Sequence, residues 1–258
     1  MQYNGLMAKK IIIGNWKMNP TSLAEAKRLY TDIKKGAPRI RMAEIVICPP
    51  APYLAALTGP GKSVILGAQD SAEETQGAFT GSSSPLALKS VGVQAVILGH
   101  SERRAKGEAD DLINLKIKAA LKAGLRIILC VGETVRDEQG DYLVVLRSQL
   151  ESCLADISKT QMNKIAIAYE PVWAIGAQAT SADTPEGFLH NAIYIRQTLS
   201  KLKGASAAKT PILYGGSVSV KNAESFLVDG KADGLLVGRE SLKAKNFLAI
   251  AELTSRAA

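Results

Sequence analysis

Eight short apolar runs recur along the chain at a nearly constant interval, and a stretch with helical signals follows most of them. The runs are Lys10–Asn15, Glu44–Cys48, Ser63–Ala68, Ala95–Gly99, Arg126–Val131, Lys164–Tyr169, Pro211–Tyr214 and Gly234–Val237. They are near-continuous rather than alternating, as parallel strands buried on both faces are. Seven steps carry the run starts from residue 10 to residue 234, an average of 32 residues, which is the length of one βα unit.

The intervening segments have helical character. Thr21–Lys35 places Leu23, Ala26, Tyr30 and Ile33 on one face, and Asp110–Ala123 does the same with Leu112, Leu115, Ile117 and Leu121. Tyr142–Ile157, Pro185–Leu202, Val220–Val228 and Ser241–Leu253 complete the set. Thr184 before Pro185 reads as a cap followed by the first helical position, and Gly36 and Gly124 read as C-terminal stops. Eight strands alternating with helices close into a barrel or open into a doubly wound sheet. The 258 residues suit one (β/α)₈ barrel, and no GxGxxG follows the first run, which disfavours a dinucleotide-binding open sheet. The expectation is therefore an α/β fold: a single (β/α)₈ barrel of eight parallel strands over residues 9–258, with residues 1–8 an extension outside it.

Composition narrows the function classes. Hydrophobic residues make up 47% of the chain and charged residues 22%, which excludes a disordered or collagen-like chain. The net charge of +8 invites a nucleic-acid reading, but the positives do not cluster and aromatics are only 5%. No nucleic-acid partner is expected. Cys48, Cys130 and Cys153 are an odd number without a CxxC pair, so buried free thiols are expected rather than disulfides or a metal site. No run has signal-peptide or membrane-spanning length. A cytoplasmic protein with no membrane partner, no metal and no cofactor is the reading.

In barrels of this class the chemistry stands at the C-terminal ends of the strands. Those ends carry Asn15-Trp16-Lys17, His100-Ser101-Glu102-Arg103-Arg104, Gly132-Glu133-Thr134, Glu170-Pro171, Gly215-Gly216-Ser217 and Gly238-Arg239. A carboxylate base, an imidazole and a lysine would converge only if the barrel closes. The glycine turns after the seventh and eighth strands suit a phosphate, although a tight turn explains Gly-Gly-Ser about as well. A lysine at the end of a buried strand needs an anion, which a phosphorylated substrate would supply. Glu102 and Arg104 could equally be a structural ion pair. His190, inside a helical stretch, reads as structural or surface.

Taken in order, Gly14-Asn15-Trp16-Lys17-Met18-Asn19, Gly77-Ala78-Phe79-Thr80-Gly81, His100-Ser101-Glu102-Arg103-Arg104, Cys130-Val131-Gly132-Glu133-Thr134, Ala168-Tyr169-Glu170-Pro171-Val172-Trp173-Ala174-Ile175-Gly176 and Tyr214-Gly215-Gly216-Ser217-Val218 closely resemble the triosephosphate isomerase family, from about Lys9 to Glu252. The resemblance implies interconversion of dihydroxyacetone phosphate and D-glyceraldehyde 3-phosphate through an enediol(ate), in glycolysis and gluconeogenesis, without a cofactor. It implies Glu170 as the base, a neutral His100 as donor to the substrate oxygens, Lys17 as the cation and Asn15 as an oxyanion donor. Gly176, Ser217 and the backbone of Gly238 and Arg239 would hold the phosphate, with Glu102 and Cys130 in supporting positions. Pro171–Thr180 would be a closing lid, and the loop around Thr80 would join two copies into a homodimer.

The chain departs from the family pattern at several places. The lid reads Ile175-Gly176-Ala177-Gln178-Ala179-Thr180, Ser82 stands where a glutamate is common, and the segment after Arg104 is shorter than usual. Arg239 replaces the second glycine after strand 8, so a backbone conformation suited to glycine would strain it. The sequence reading has its side chain turned to solvent, because Lys17 already supplies a cation. Two other readings remain at this stage: a different phosphate-binding barrel enzyme, and a non-catalytic descendant.

Overall fold

The computed structural model describes residues 9–58, 63–137, 139–175 and 182–258. Eight parallel strands close on themselves: β1 Lys10–Asn15, β2 Ala43–Cys48, β3 Ile65–Ala68, β4 Ala95–Leu98, β5 Arg126–Val131, β6 Ile165–Tyr169, β7 Ile212–Tyr214 and β8 Gly234–Val237. Each pairs with its sequence neighbours, and β1 closes the ring against β8 with Ile11 opposite Gly234. The fold is a (β/α)₈ barrel. All eight strands lie where the apolar runs are, with ends that differ by at most two residues. Residues 1–8, expected as an extension, lie outside the described residues.

The strands are buried on both faces because they feed two cores. Ile13, Ile97, Ile128, Cys130, Ala168, Leu213 and Leu236 fill the barrel interior. Their neighbours Ile12, Val96, Ile127, Leu129, Ile167 and Val237 face the helices. Alternate residues therefore face opposite sides, yet both sides are apolar, which removes the alternation from the sequence.

The helices are α1 Leu23–Gly36, α2 Leu54–Leu57, α3 Pro85–Ser90, α4 Ser101–Arg104, α5 Asp110–Lys122, α6 Tyr142–Cys153, α7 Pro185–Lys203, α8 Ala223–Val228 and α9 Ala244–Arg256. Thr184 caps α7 as expected, its Oγ1 accepting the Gly187 N–H at 3.0 Å. Gly124 adopts φ +81° just beyond α5, the left-handed stop that only glycine takes without strain. Gly36 differs from expectation. It is the last helical residue of α1, and a Cβ there would come within 2.5 Å of Leu248. It is needed for close packing of α1 on α9, not for a turn. The segment expected as one helix from Ser241 is split into a 3-10 turn, Arg239–Leu242, and α9.

Candidate active site

At the end of β1, Asn15 is buried and its Oδ1 accepts the Lys17 N–H at 3.0 Å. That bond uses the amide's acceptor and leaves its two N–H donors for a substrate oxygen. Lys17 sits at φ +51°, a left-handed conformation that costs a lysine about 1 kcal/mol. Gln69 helps to hold the turn, donating through Nε2 to the carbonyls of Lys17 at 2.7 Å and Cys48 at 2.9 Å. The Lys17 ammonium then reaches Glu102 Oε1 at 2.6 Å. Burial alone would raise the Glu102 carboxyl, but the hydrogen bond and charge of Lys17 outweigh it and hold the group below the ordinary carboxylate range. Glu102 is thus the partner of Lys17, not of Arg104. Arg104 binds Asp110 and the carbonyls of Gly99 and Cys130 instead.

His100 ends the β4 segment and caps α4. Its Nδ1 accepts the Glu102 N–H at 3.1 Å, so in this geometry Nδ1 carries no proton and Nε2 must be the protonated nitrogen. Protonating both would set two donors against each other. The Nε2 lies 3.1 Å from Glu170 Oε1, while Glu170 Oε2 accepts the Ser101 N–H at 2.8 Å. Glu170 is only 2% exposed. Without substrate its carboxylate is satisfied by these two donors. To meet a substrate carbon it must release them, and a substrate oxygen can then take its place on His100 Nε2.

Two glycines let Glu170 sit where it does. A Cβ on Gly132 would lie 1.8 Å from the Glu170 carbonyl oxygen, and one on Gly215 would lie 3.0 Å from Glu170 Cγ. Gln149 fixes Gly132 from behind, accepting its N–H at 2.8 Å and donating to its carbonyl at 3.0 Å. Cys130 is fully buried in the barrel interior. Burial, with the Glu170 charge adding to it, raises its thiol well above the ordinary range, so it remains neutral packing beneath the site.

Asn15, Lys17, His100 and Glu170 share a cavity of about 480 Å³ with Gly215–Ser219, Gly238, Arg239 and Lys243. The Ser217 hydroxyl donates to the Ala174 carbonyl at 2.9 Å, tying the seventh loop to the segment after β6. Gly238 has a negative φ of −87°, and Arg239 is absent from the residues with positive φ. The strain foreseen for an arginine at this position does not arise, because Arg239 opens a helical turn. Gly176 and the rest of the segment expected as a lid, up to residue 180, lie outside the described residues. His190 is exposed on α7, away from this cavity.

A second polar group joins the ends of β5 and β6 to α7; Glu133, Tyr169 and Trp173 stand in the motifs quoted above, Arg136 and Asn191 do not. Glu133 Oε1 accepts from Arg136, from the Tyr169 hydroxyl at 2.8 Å and from Trp173 Nε1 at 2.8 Å. Asn191 donates to the same Tyr169 oxygen at 3.1 Å. Burial raises the Tyr169 hydroxyl far above its ordinary value, and the Glu133 charge adds to this. Trp173 is thereby anchored to β5 and β6. Only the spatial arrangement joins these residues, which are scattered over 58 positions.

Fold and site together define a (β/α)₈-barrel enzyme whose carboxylate, imidazole and ammonium groups come from separate strand ends and face one cavity. The family model described as triosephosphate isomerase matches residues 10–254. The triosephosphate isomerase of Treponema denticola is 44% identical over 250 residues, covering 95% of this chain and 98% of that one. That of Dehalococcoides mccartyi (strain CBDB1) is 46% identical over 253 residues, covering 95% and 96%. Among solved structures, the triosephosphate isomerase from Bartonella henselae superposes with a TM-score of 0.83 at 36% identity, covering 95% and 98%. The chain belongs to the triosephosphate isomerase family.

Proposed function

We infer that the chain interconverts dihydroxyacetone phosphate and D-glyceraldehyde 3-phosphate by moving one proton between adjacent carbons. The observation that carries this reading is the pairing of a buried Glu170 with the donor nitrogen of His100 in a cavity that also contains Lys17. Glu170 removes the proton from C1 of the ketone and becomes the acid; the carbon's electron pair forms the enediolate as charge moves to the carbonyl oxygen. His100 Nε2–H and the Asn15 amide stabilise that oxygen, and Lys17 supplies positive charge. His100 gives a proton to the oxygen on C2 and takes the hydroxyl proton from the oxygen on C1, and Glu170 returns its proton to C2, which gives the aldehyde. A neutral imidazole suits this work because it can both give and take back a proton, and this role is the family's known pattern.

Ser217 and the backbone of Gly238 and Arg239 hold the phosphate; Gly176, which the family resemblance adds to them, lies outside the described residues. The family's cytoplasmic placement and its glycolytic and gluconeogenic role belong to the same reading. Among the described residues no helix is long and apolar enough to cross a membrane.

A homodimer is part of the proposal. Beside the substrate cavity, a second one of about 470 Å³ is lined by Lys17, Gln69, Glu102 and Gly81–Ser83. Met18 at 89% and Phe79 at 45% exposure leave large apolar groups in solvent nearby in sequence. In this proposal a partner's loop around Thr80 enters that opening, which would bury its own Phe79 there. The enzymatic reading is tested by an assay coupling glyceraldehyde 3-phosphate consumption to dehydrogenase reduction of dihydroxyacetone phosphate. Sustained turnover by the purified chain is expected; a folded sample without turnover would favour a binding protein.

A further inference from the structure

The wall of the substrate cavity at the end of β8 carries cations that have no partner among the described residues. Arg239 and Lys243 both line it. Among the described residues, neither side chain meets a carboxylate or donates to a carbonyl. The other arginines around the site are all engaged: Arg103 by Asp70 and Glu108, Arg104 by Asp110, and Arg136 by Glu133. Glu240, the carboxylate adjacent in sequence, is held through Oε2 by Asn246 at 2.6 Å.

Direction and charge bear on what Arg239 does. It is exposed at the cavity wall and opens the 3-10 turn Arg239–Leu242. On a right-handed helical turn the Cα–Cβ bond tilts toward the N-terminal end, which here is Gly238 and the cavity. A guanidinium that lines the cavity without a carboxylate partner among the described residues is free to meet an anion there, and its planar fork matches two oxygens of a phosphate. The outward placement expected from sequence assumed that Lys17 already supplies the phosphate's cation. Lys17 is instead engaged by Glu102 at 2.6 Å, so its charge is largely matched before substrate arrives.

We propose that the Arg239 side chain is a direct ligand of the substrate phosphate, with Lys243 adding a second positive charge on the same wall. The triose phosphate as substrate rests on the function proposed above; the affinity for a phosphate oxyanion does not. This chain thus binds phosphate partly by a side-chain charge at a position where the family commonly offers only glycine backbone.

The test titrates inorganic phosphate into the intact chain by calorimetry, and into Arg239→Gly and Arg239→Gln variants, alongside steady-state kinetics. In both variants the phosphate Kd and the KM for glyceraldehyde 3-phosphate should rise about tenfold, roughly 1.4 kcal/mol. The loss should fall on KM rather than kcat. Raising the salt concentration should weaken phosphate binding more in the intact chain than in either variant. Changes below about threefold in both quantities would overturn the proposal. A weakened phosphate Kd in a chain without isomerase turnover would sustain the Arg239 contact while removing the proposed reaction; turnover with an unchanged phosphate Kd would do the reverse.

Discussion

The Nε2 of His100 lies 3.1 Å from Oε1 of Glu170, while the opposite ring nitrogen accepts the Glu102 N–H. One backbone bond therefore settles which nitrogen holds the proton, and that proton points at the carboxylate. Three strand ends meet in this contact: His100 after β4, Glu170 after β6, and Lys17 after β1, which holds Glu102 from the other side.

Gly132 is the position most sensitive to a single methyl group. A Cβ there would lie 1.8 Å from the backbone oxygen of Glu170, so Gly132→Ala must displace the strand end that carries the base. A shift of about 1 Å at a reacting group costs on the order of 10²-fold in rate. The variant should lose that much kcat while its far-ultraviolet circular dichroism stays unchanged. Activity within a few-fold of the parent would show that the strand end yields freely.

Asp183 gives the protein a pH-dependent stability. Burial pushes its carboxyl up to about 6, against the partly offsetting Thr184 N–H and Arg136 charge, and its Oδ2 is buried without a hydrogen-bond partner among the described residues. A carboxyl raised in the folded state favours folding when protonated. Its contribution is full below pH 4 and is lost as pH rises through 6. Asp183→Asn should therefore stabilise the protein at pH 8 by about 1 kcal/mol, after allowance for a partly exposed site. It should give no gain at pH 4. Thermal unfolding at the two pH values checks this, and an equal shift at both would contradict it.

Phe79 ties the oligomeric state to the site. Light scattering at micromolar concentration should give twice the chain mass of 27.4 kDa. Phe79→Asp should shift the sample toward monomer and lower the activity with it. A fully active monomer in the parent chain would remove the partner's loop from the account.

The barrel was legible because burial on both faces leaves eight apolar runs at one spacing, and the site because its side chains stand at strand ends. The short helices α2 and α3 were not read, since four- and six-residue segments carry too little periodicity. The role of Gly36 was misread because its reason, contact with Leu248, lies 212 residues away. The same holds for Gln69, which supports the Lys17 turn from β3, and for Lys116. Lys116 is buried between Asp70 and Glu108 on elements that no local pattern connects. Glu133 stood inside a quoted motif, but only the fold reveals that Arg136, Tyr169 and Trp173 converge on one of its oxygens.

Replacement of Glu170 tests the central claim most directly. Glu170→Gln keeps the size and the bond from Ser101 but cannot accept a proton from carbon. In heavy water the parent should exchange the C1 hydrogen of dihydroxyacetone phosphate for deuterium while forming glyceraldehyde 3-phosphate. The variant should lose both reactions by at least about 10³-fold with its thermal unfolding nearly unchanged. A folded Glu170→Gln protein that still exchanges the C1 hydrogen at close to the parent rate would contradict the assignment of Glu170 as the base.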